Sequence, residues 1–194
     1  MRRKTYSFIA MLAIHGAACA DVTIYTNKAQ WQSAAGPSTA ITFVEYHEFT
    51  IITDQYAESG ILFTDGNDFI FTTASFPADG AGLVSASDVL GSDSGVHMSY
   101  VQPRNSIAFD FIGIIQFNLY NSGELVYASQ YYVAGFTPFV GVTSTVPFDF
   151  VVAWDWGDAV VSIDNLYFGA AVPAPGSLLF LVGGYIGHRS GRRR

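Results

Sequence analysis

The chain has 194 residues, half of them hydrophobic and 15% aromatic, with a formal net charge of −7. That charge hides a strong asymmetry: three of the nine Lys and Arg lie at positions 2–4 and four lie between Arg189 and Arg194, while all sixteen acidic residues fall between Asp21 and Asp164. Only Lys28 and Arg104 remain to oppose them, so the segment between the basic ends carries −14, a surface that repels nucleic acid and anionic lipid and argues against both as partners.

In chain order, Arg2-Arg3-Lys4 form a basic leader, residues 7–14 a short apolar run, and Ala18-Cys19-Ala20 supply small residues at −3 and −1 before Asp21. This is the pattern of a secretory signal peptide spanning 1–20, a substrate for signal peptidase and too short to persist as an ordinary membrane anchor. Its removal takes away Cys19, the single cysteine, so the mature protein is expected to contain no disulfide.

Residues 21–171 are one domain's worth of chain. A helix is expected over 27–35, with Thr26 as N-cap, Ala29, Trp31 and Ala34 on the inner face, and Gly36-Pro37 as the stop. Strands are expected at 40–45, 60–64, 69–73, 96–101, 106–111, 114–120, 124–133, 136–142, 148–154 and 160–168, from their Val, Thr and aromatic content between glycine-rich turns. Asn121-Ser-Gly-Glu124 reads as a tight turn in which Gly123 takes a positive φ. In 106–111, Ile107, Phe109 and Phe111 alternate onto one face. Short strands without a βαβ rhythm predict an all-β fold, an antiparallel jelly-roll-like β-sandwich with one short N-terminal helix.

Within that domain Trp154-Asp-Trp156-Gly-Asp158 suggests carbohydrate binding, because flat indoles stack on sugar rings while neighbouring acids accept hydroxyl hydrogen bonds. Trp154 and Trp156 share one face of a strand; an inner face makes them core, an outer face makes them a platform. Tyr127, Tyr131 and Tyr132 carry the same two readings. Asp65-Gly-Asn-Asp68 is oxygen-rich but lacks the further ligands of an EF-hand loop, and reads as a hairpin turn. Gly91-Ser-Asp-Ser-Gly95 has Asp93 where a nucleophile elbow needs serine. His47 and His97 lack any zinc-site spacing, and no carboxylate pair stands out for glycoside hydrolysis. A non-enzymatic protein is the expectation.

The last 23 residues, 172–194, follow a separate logic. Val172-Pro173-Ala174-Pro175 breaks regular structure, Leu178 to Ile186 is an apolar run shorter than the roughly 20 residues a spanning helix needs, and Arg192, Arg193 and Arg194 end it. Cationic ends stay on the cytoplasmic side, leaving the domain outside. Taken together, the signal peptide, secreted body, Val-Pro-Xaa-Pro, short glycine-containing apolar helix and arginine cluster resemble the PEP-CTERM sorting proteins. In that family the tail is anchored transiently in the inner membrane and processed near the proline motif by an exosortase. The family's usual Pro-Glu-Pro stands here as Pro-Ala-Pro. The resemblance implies an exported protein sorted to the cell envelope or the extracellular polysaccharide matrix of a Gram-negative-type bacterium, with Val172–Pro175 and the three arginines as the sorting motif and exosortase as a partner.

Three stretches of the domain, YTNKAQW from Tyr25, ITFVEYHEFTIITDQYAESGILF from Ile41 and FVGVTSTVPFDFVVAWDWGDAVVSIDNLYFG from Phe139, are similar to secreted sandwich domains carrying that tail. Jelly-roll carbohydrate-binding modules hold a structural Ca²⁺ between an acid on an early strand and an Asp near the last one. The matching positions are Glu45 and Asp164, with Asn165 or a backbone carbonyl completing the set. A lectin-like, polysaccharide-binding role is thus the alternative function, and a glycoside hydrolase-like enzyme the remote one.

Overall fold

The computed structural model describes residues 20–64, 69–73, 82–86, 95–135, 138–155 and 161–170. These form β1 (Val22–Tyr25), α1 (Lys28–Ala35), β2 (Ser38–Ile41), β3 (Ile61–Thr64), β4 (Phe69–Thr73), β5 (Gly82–Ala86), β6 (Gly95–Ile112), β7 (Ile114–Asn121), β8 (Glu124–Ala128), β9 (Tyr132–Val133), β10 (Phe139–Trp154) and β11 (Ser162–Gly169), with a single 3-10 turn at Ala57–Ser59. Residues 1–19 of the expected signal peptide at 1–20, and all of the expected sorting segment at 172–194, lie outside the described residues. Among the described residues no helix is long and apolar enough to cross a membrane.

Every strand pairing is antiparallel. Two long strands, β6 and β10, organise the fold. Each was expected as two strands, at 96–101 and 106–111 and at 136–142 and 148–154, although Pro103 and Pro147 lie within the single strands that form. Each is instead one strand that bends: β10 slips register against β6 between Thr143 and Phe148 and again between Phe148 and Phe150. Proline is tolerated there because a bulge needs no ladder N–H. The bend folds the network into two layers. One contains β4, β5, β11, the second half of β6, the first half of β10 and β1, with β2 extending the edge beside β5. The other contains β3, the first half of β6, the second half of β10, β7 and β8, with β9 on the start of β7. The result is an antiparallel β-sandwich of jelly-roll type.

Alternation sends Val96, Met98, Tyr100, Phe117, Leu119 and Val151 inward from one layer and Ile107, Phe109, Phe111, Leu166 and Phe168 from the other, all buried in one cluster. Ring contacts cross the gap: Phe109 to Phe117 at 5.4 Å and Tyr100 to Phe168 at 5.4 Å between centroids. Each such phenylalanine contributes roughly 1.5–3 kcal/mol by leaving water, with aromatic-pair geometry adding to it.

The outer face of the first layer is closed by α1. Asn27, not Thr26, caps this helix, its side chain accepting from Gln30 N at 3.1 Å, and Gly36 ends it at φ 71°. The expected inner face is corrected too: Trp31 is buried and Lys28 and Ala35 are partly buried, while Ala29 and Ala34 are exposed. One large side chain sets the rotation. Trp31 lies over Ala108, Phe139 and Tyr167, donates from Nε1 to Val142 O at 3.1 Å, and fits because residue 141 is glycine: a Cβ there would stand 2.5 Å from Trp31 Cδ1. The expected turn at Asn121 to Glu124 forms with both Ser122 (φ 52°) and Gly123 (φ 86°) left-handed, which is the two-residue hairpin geometry matched to strand twist. Asp149 holds it, accepting from Ser122 N at 3.0 and 3.1 Å.

Two strands escaped the sequence reading. These are β1 and β5, of four and five residues; β8 and β9 replace one continuous expected strand because the chain turns at Ser129, whose Oγ accepts from Phe117 N.

Candidate binding face

The outer face of the second layer is where the chemistry-bearing residues gather. Val151 and Ala153 point inward, so the intervening Phe150, Val152 and Trp154 of β10 point outward, each half-buried. On β7 the same parity puts Gln116, Asn118 and Tyr120 outward. The registers Phe150 with Tyr120, Val152 with Asn118 and Trp154 with Gln116 set these six side chains as three adjacent pairs. On the other side, β6 adds Ser99 beside Phe150 and His97 beside Val152. Leu125 of β8, beside Tyr120, is 55% exposed at the margin.

Side chains along this face hold one another in place. Phe150 packs edge-on to His97 at 5.6 Å and tilted on Tyr120 at 5.9 Å. Asn118 Nδ2 donates to Tyr120 Oη at 3.0 Å, and Gln116 Nε2 to Ser129 O at 3.1 Å. Two aromatic ends, Trp154 and the Phe150–Tyr120 pair, are therefore separated along the strands by about 13–14 Å, four residues at 3.3–3.4 Å each. A polar row of His97 and Asn118 lies between them. Among the described residues no helix packs across this face; α1 contacts β1, β6 and β10 from the opposite layer.

The positions singled out from sequence fare differently. Trp154 stands half-buried on the outer face and not in the core, whereas Trp156 lies outside the described residues, as does Asp65 to Asp68. Tyr132 is inward and buried, stacked on Phe117 at 6.2 Å, while Tyr131 is 51% exposed. Signals for Tyr120, Asn118 and Gln116 were present as the alternation of Ile-Gln-Phe-Asn-Leu-Tyr from Ile115 to Tyr120, but facing requires knowing which parity meets the core.

The candidate calcium ligands are distributed over two places. Glu45 is exposed on the loop after β2, beside Tyr56, whose phenol is raised by burial and further by that carboxylate. Asp164 and Asn165 are buried in β11, where the register against β6 slips between Ile163 and Asn165 and makes Asp164 the extra, bulged residue. Asn165 Nδ2 reaches Asp110 Oδ2 at 3.3 Å, as do Tyr167 Oη at 2.7 Å and Lys28 Nζ at 2.9 Å. Lys28 also donates to Tyr167 Oη and lies 4.2 Å from the centre of its ring. Burial lowers the Lys28 pKa, but Tyr167 and Asp110 outweigh it and leave the ammonium above its ordinary value; Tyr167 is pushed up to about 12, chiefly by burial. Among the described residues no three His, Cys, Asp or Glu side chains converge as metal ligands.

No protein-family model and no curated protein sequence matches the chain. Among solved structures it is similar to a mutant of a family 29 carbohydrate-binding module studied for its ligand recognition, with a TM-score of 0.44 and 15% identity over 72% of this chain and 99% of that one. It is likewise similar to a second family 29 carbohydrate-binding module structure, with a TM-score of 0.43 and 15% identity over 73% and 98%.

Proposed function

We propose that the domain is a non-catalytic module that binds a neutral polysaccharide on the outer face of its second layer. The observation that carries this reading is the pairing of Trp154, Phe150 and Tyr120 with the amides of Gln116 and Asn118 on one strand-braced surface across which, among the described residues, no helix packs. Apolar faces of pyranose rings pack on aromatic rings, and amides both donate to and accept from sugar hydroxyls. Side chains already ordered by mutual contacts lose little further freedom on binding. The −14 charge of the domain disfavours sulfated or uronate-rich chains by the same repulsion that excludes nucleic acid.

A glycan array probed with the full chain tests the reading. Retention of neutral glycans, weakened roughly tenfold or more by Trp154→Ala or Phe150→Ala, supports it; absence of any neutral glycan among the ligands rejects it.

The sequence ends support a complementary role in the same protein. The leader at 1–20 and the proline–apolar–arginine tail at 172–194 make it an exported, envelope- or matrix-directed protein processed by an exosortase. Expression in strains with and without an exosortase decides this: a C-terminus shortened only where the enzyme is present is the expected result, and an identical C-terminus in both strains refutes it.

A further inference from the structure

Down the middle of the candidate face, β10 presents Phe150, Val152 and Trp154, each partly buried and offering no hydrogen-bonding group but the indole N–H. The strands on either side are polar at the same levels. On β6, Ser99 stands beside Phe150 and His97 beside Val152, while Gly95 leaves the flank of Trp154 without a side chain. On β7, Tyr120, Asn118 and Gln116 stand beside Phe150, Val152 and Trp154 in turn. Neighbouring strands lie about 4.8 Å apart, so the two polar flanks are separated by about 9–10 Å with the apolar lane between them. Asn118 and Gln116 each commit one amide N–H within the protein, to Tyr120 Oη and to Ser129 O. Each keeps its carbonyl oxygen and a second N–H for a ligand.

Resting on the binding reading above, we propose that the ligand is a straight, equatorially linked neutral hexosan of the 1,4-linked β-glucan type, lying lengthwise along β10 and held over at least three consecutive sugars. A pyranose with equatorial hydroxyls has two apolar C–H faces and a polar rim. Laid flat on the lane, its face meets Phe150, Val152 or Trp154 while its rim meets the polar side chains of β6 and β7. An axial linkage places an oxygen on the apolar face and turns the chain away from a straight lane. Phe150 and Trp154 are four residues apart, about 13–14 Å along the strand. One sugar with its linking oxygen advances the chain by roughly 5 Å at ordinary bond lengths, so three to four sugars are needed to reach both aromatic ends. A disaccharide reaches one end only. Once one end is seated, contact at the other is intramolecular, and affinity rises steeply with length until both are engaged.

The test is isothermal titration of the full chain with cello-oligosaccharides of two to six sugars and with malto-oligosaccharides, the axially linked counterparts, of the same lengths. The expected result is a Kd that falls about tenfold or more between the cello disaccharide and tetrasaccharide and levels off by the hexasaccharide, with each malto-oligosaccharide about tenfold or more weaker at equal length. Phe150→Ala and Trp154→Ala are each expected to shrink the gain with length to about threefold or less, since either removes one of the two ends. Affinity independent of length, equal affinity for the two series, or a length gain unchanged in both variants overturns the proposal and leaves the neutral-glycan reading standing. So does retention of other neutral glycans on the array with neither series bound. Absence of any neutral glycan among the ligands removes the binding reading, and this proposal with it. The two length series use the unaltered protein, so they decide the matter even where a variant does not fold.

Discussion

Gly141→Ala is the sharpest available test of how α1 is fastened to the sandwich. The added methyl would lie 2.5 Å from Trp31 Cδ1, 2.7 Å from Trp31 Cγ and 3.0 Å from Ala108 Cβ, and the first two atoms belong to a rigid indole, not to the end of a flexible chain. The indole must therefore move off the sheet, taking with it the Nε1–H bond to Val142 O. Overpacking costs about 1–3 kcal/mol, and a buried donor left without its acceptor about 1–3 kcal/mol; with partial relief of each by the other, the expected loss is about 2–4 kcal/mol. For a chain of this size that corresponds to a fall in Tm of roughly 5–15 °C. Urea unfolding followed by tryptophan fluorescence measures it, with Gly135→Ala as the control because nothing lies within 4 Å of a Cβ there. If the two variants are equally stable, the reasoning that glycine at 141 makes room for Trp31 is wrong.

Further outcomes follow from the same geometry. Phe117→Ala, which empties a fully buried site between Phe109, Tyr127 and Tyr132, is expected to cost about 3–5 kcal/mol, measured by the same urea titration; a loss below 1 kcal/mol refutes the placement of Phe117 between the layers. Gly123→Ala, at φ 86° in the β7–β8 turn, is expected to lose about 1–2 kcal/mol from left-handed strain, and an unchanged midpoint in denaturant contradicts the turn geometry. Tyr167 and Lys28 both have folded-state pKa values above their ordinary ones. The folded state therefore holds their protons more tightly, and the stability this supplies is complete below pH 10 and lost as pH rises toward about 12. A pH series of unfolding midpoints is expected to show that decline, shallower in Tyr167→Phe; a flat profile in both proteins removes the cluster's contribution.

The sandwich was legible in the sequence because its strands alternate: Ile107, Phe109 and Phe111 declare an inward face whatever the surrounding topology. What local pattern could not supply was continuity. Pro103 and Pro147 look like strand ends, and only the pairing of β6 with both β3 and β11 shows that they sit at bends. The helix was found from its stop signal and composition, but its rotation was missed because Ala29 and Ala34 are apolar without being large enough to anchor anything, whereas Trp31 fills a gap created 110 residues later by Gly141. The candidate face was half visible. Trp154 was singled out, yet Phe150, Tyr120 and Asn118 join it only through the β7–β10 register. Asp164 and Asn165 drew notice as acid and amide near the last strand; the contact of Asn165 with Asp110, which also holds Lys28, follows a bulge at Asp164 that no short-range signal marks.

The binding face is tested most directly by mapping amide chemical shifts of isotopically labelled protein during titration with a neutral oligosaccharide chosen from the array. The account predicts saturable shifts concentrated at Gln116, Asn118, Tyr120, Phe150, Val152 and Trp154, with α1 and its neighbours on the opposite layer unmoved. Shifts centred on α1 or the Lys28–Asp110 cluster, or none with any neutral glycan at millimolar concentration, contradict it.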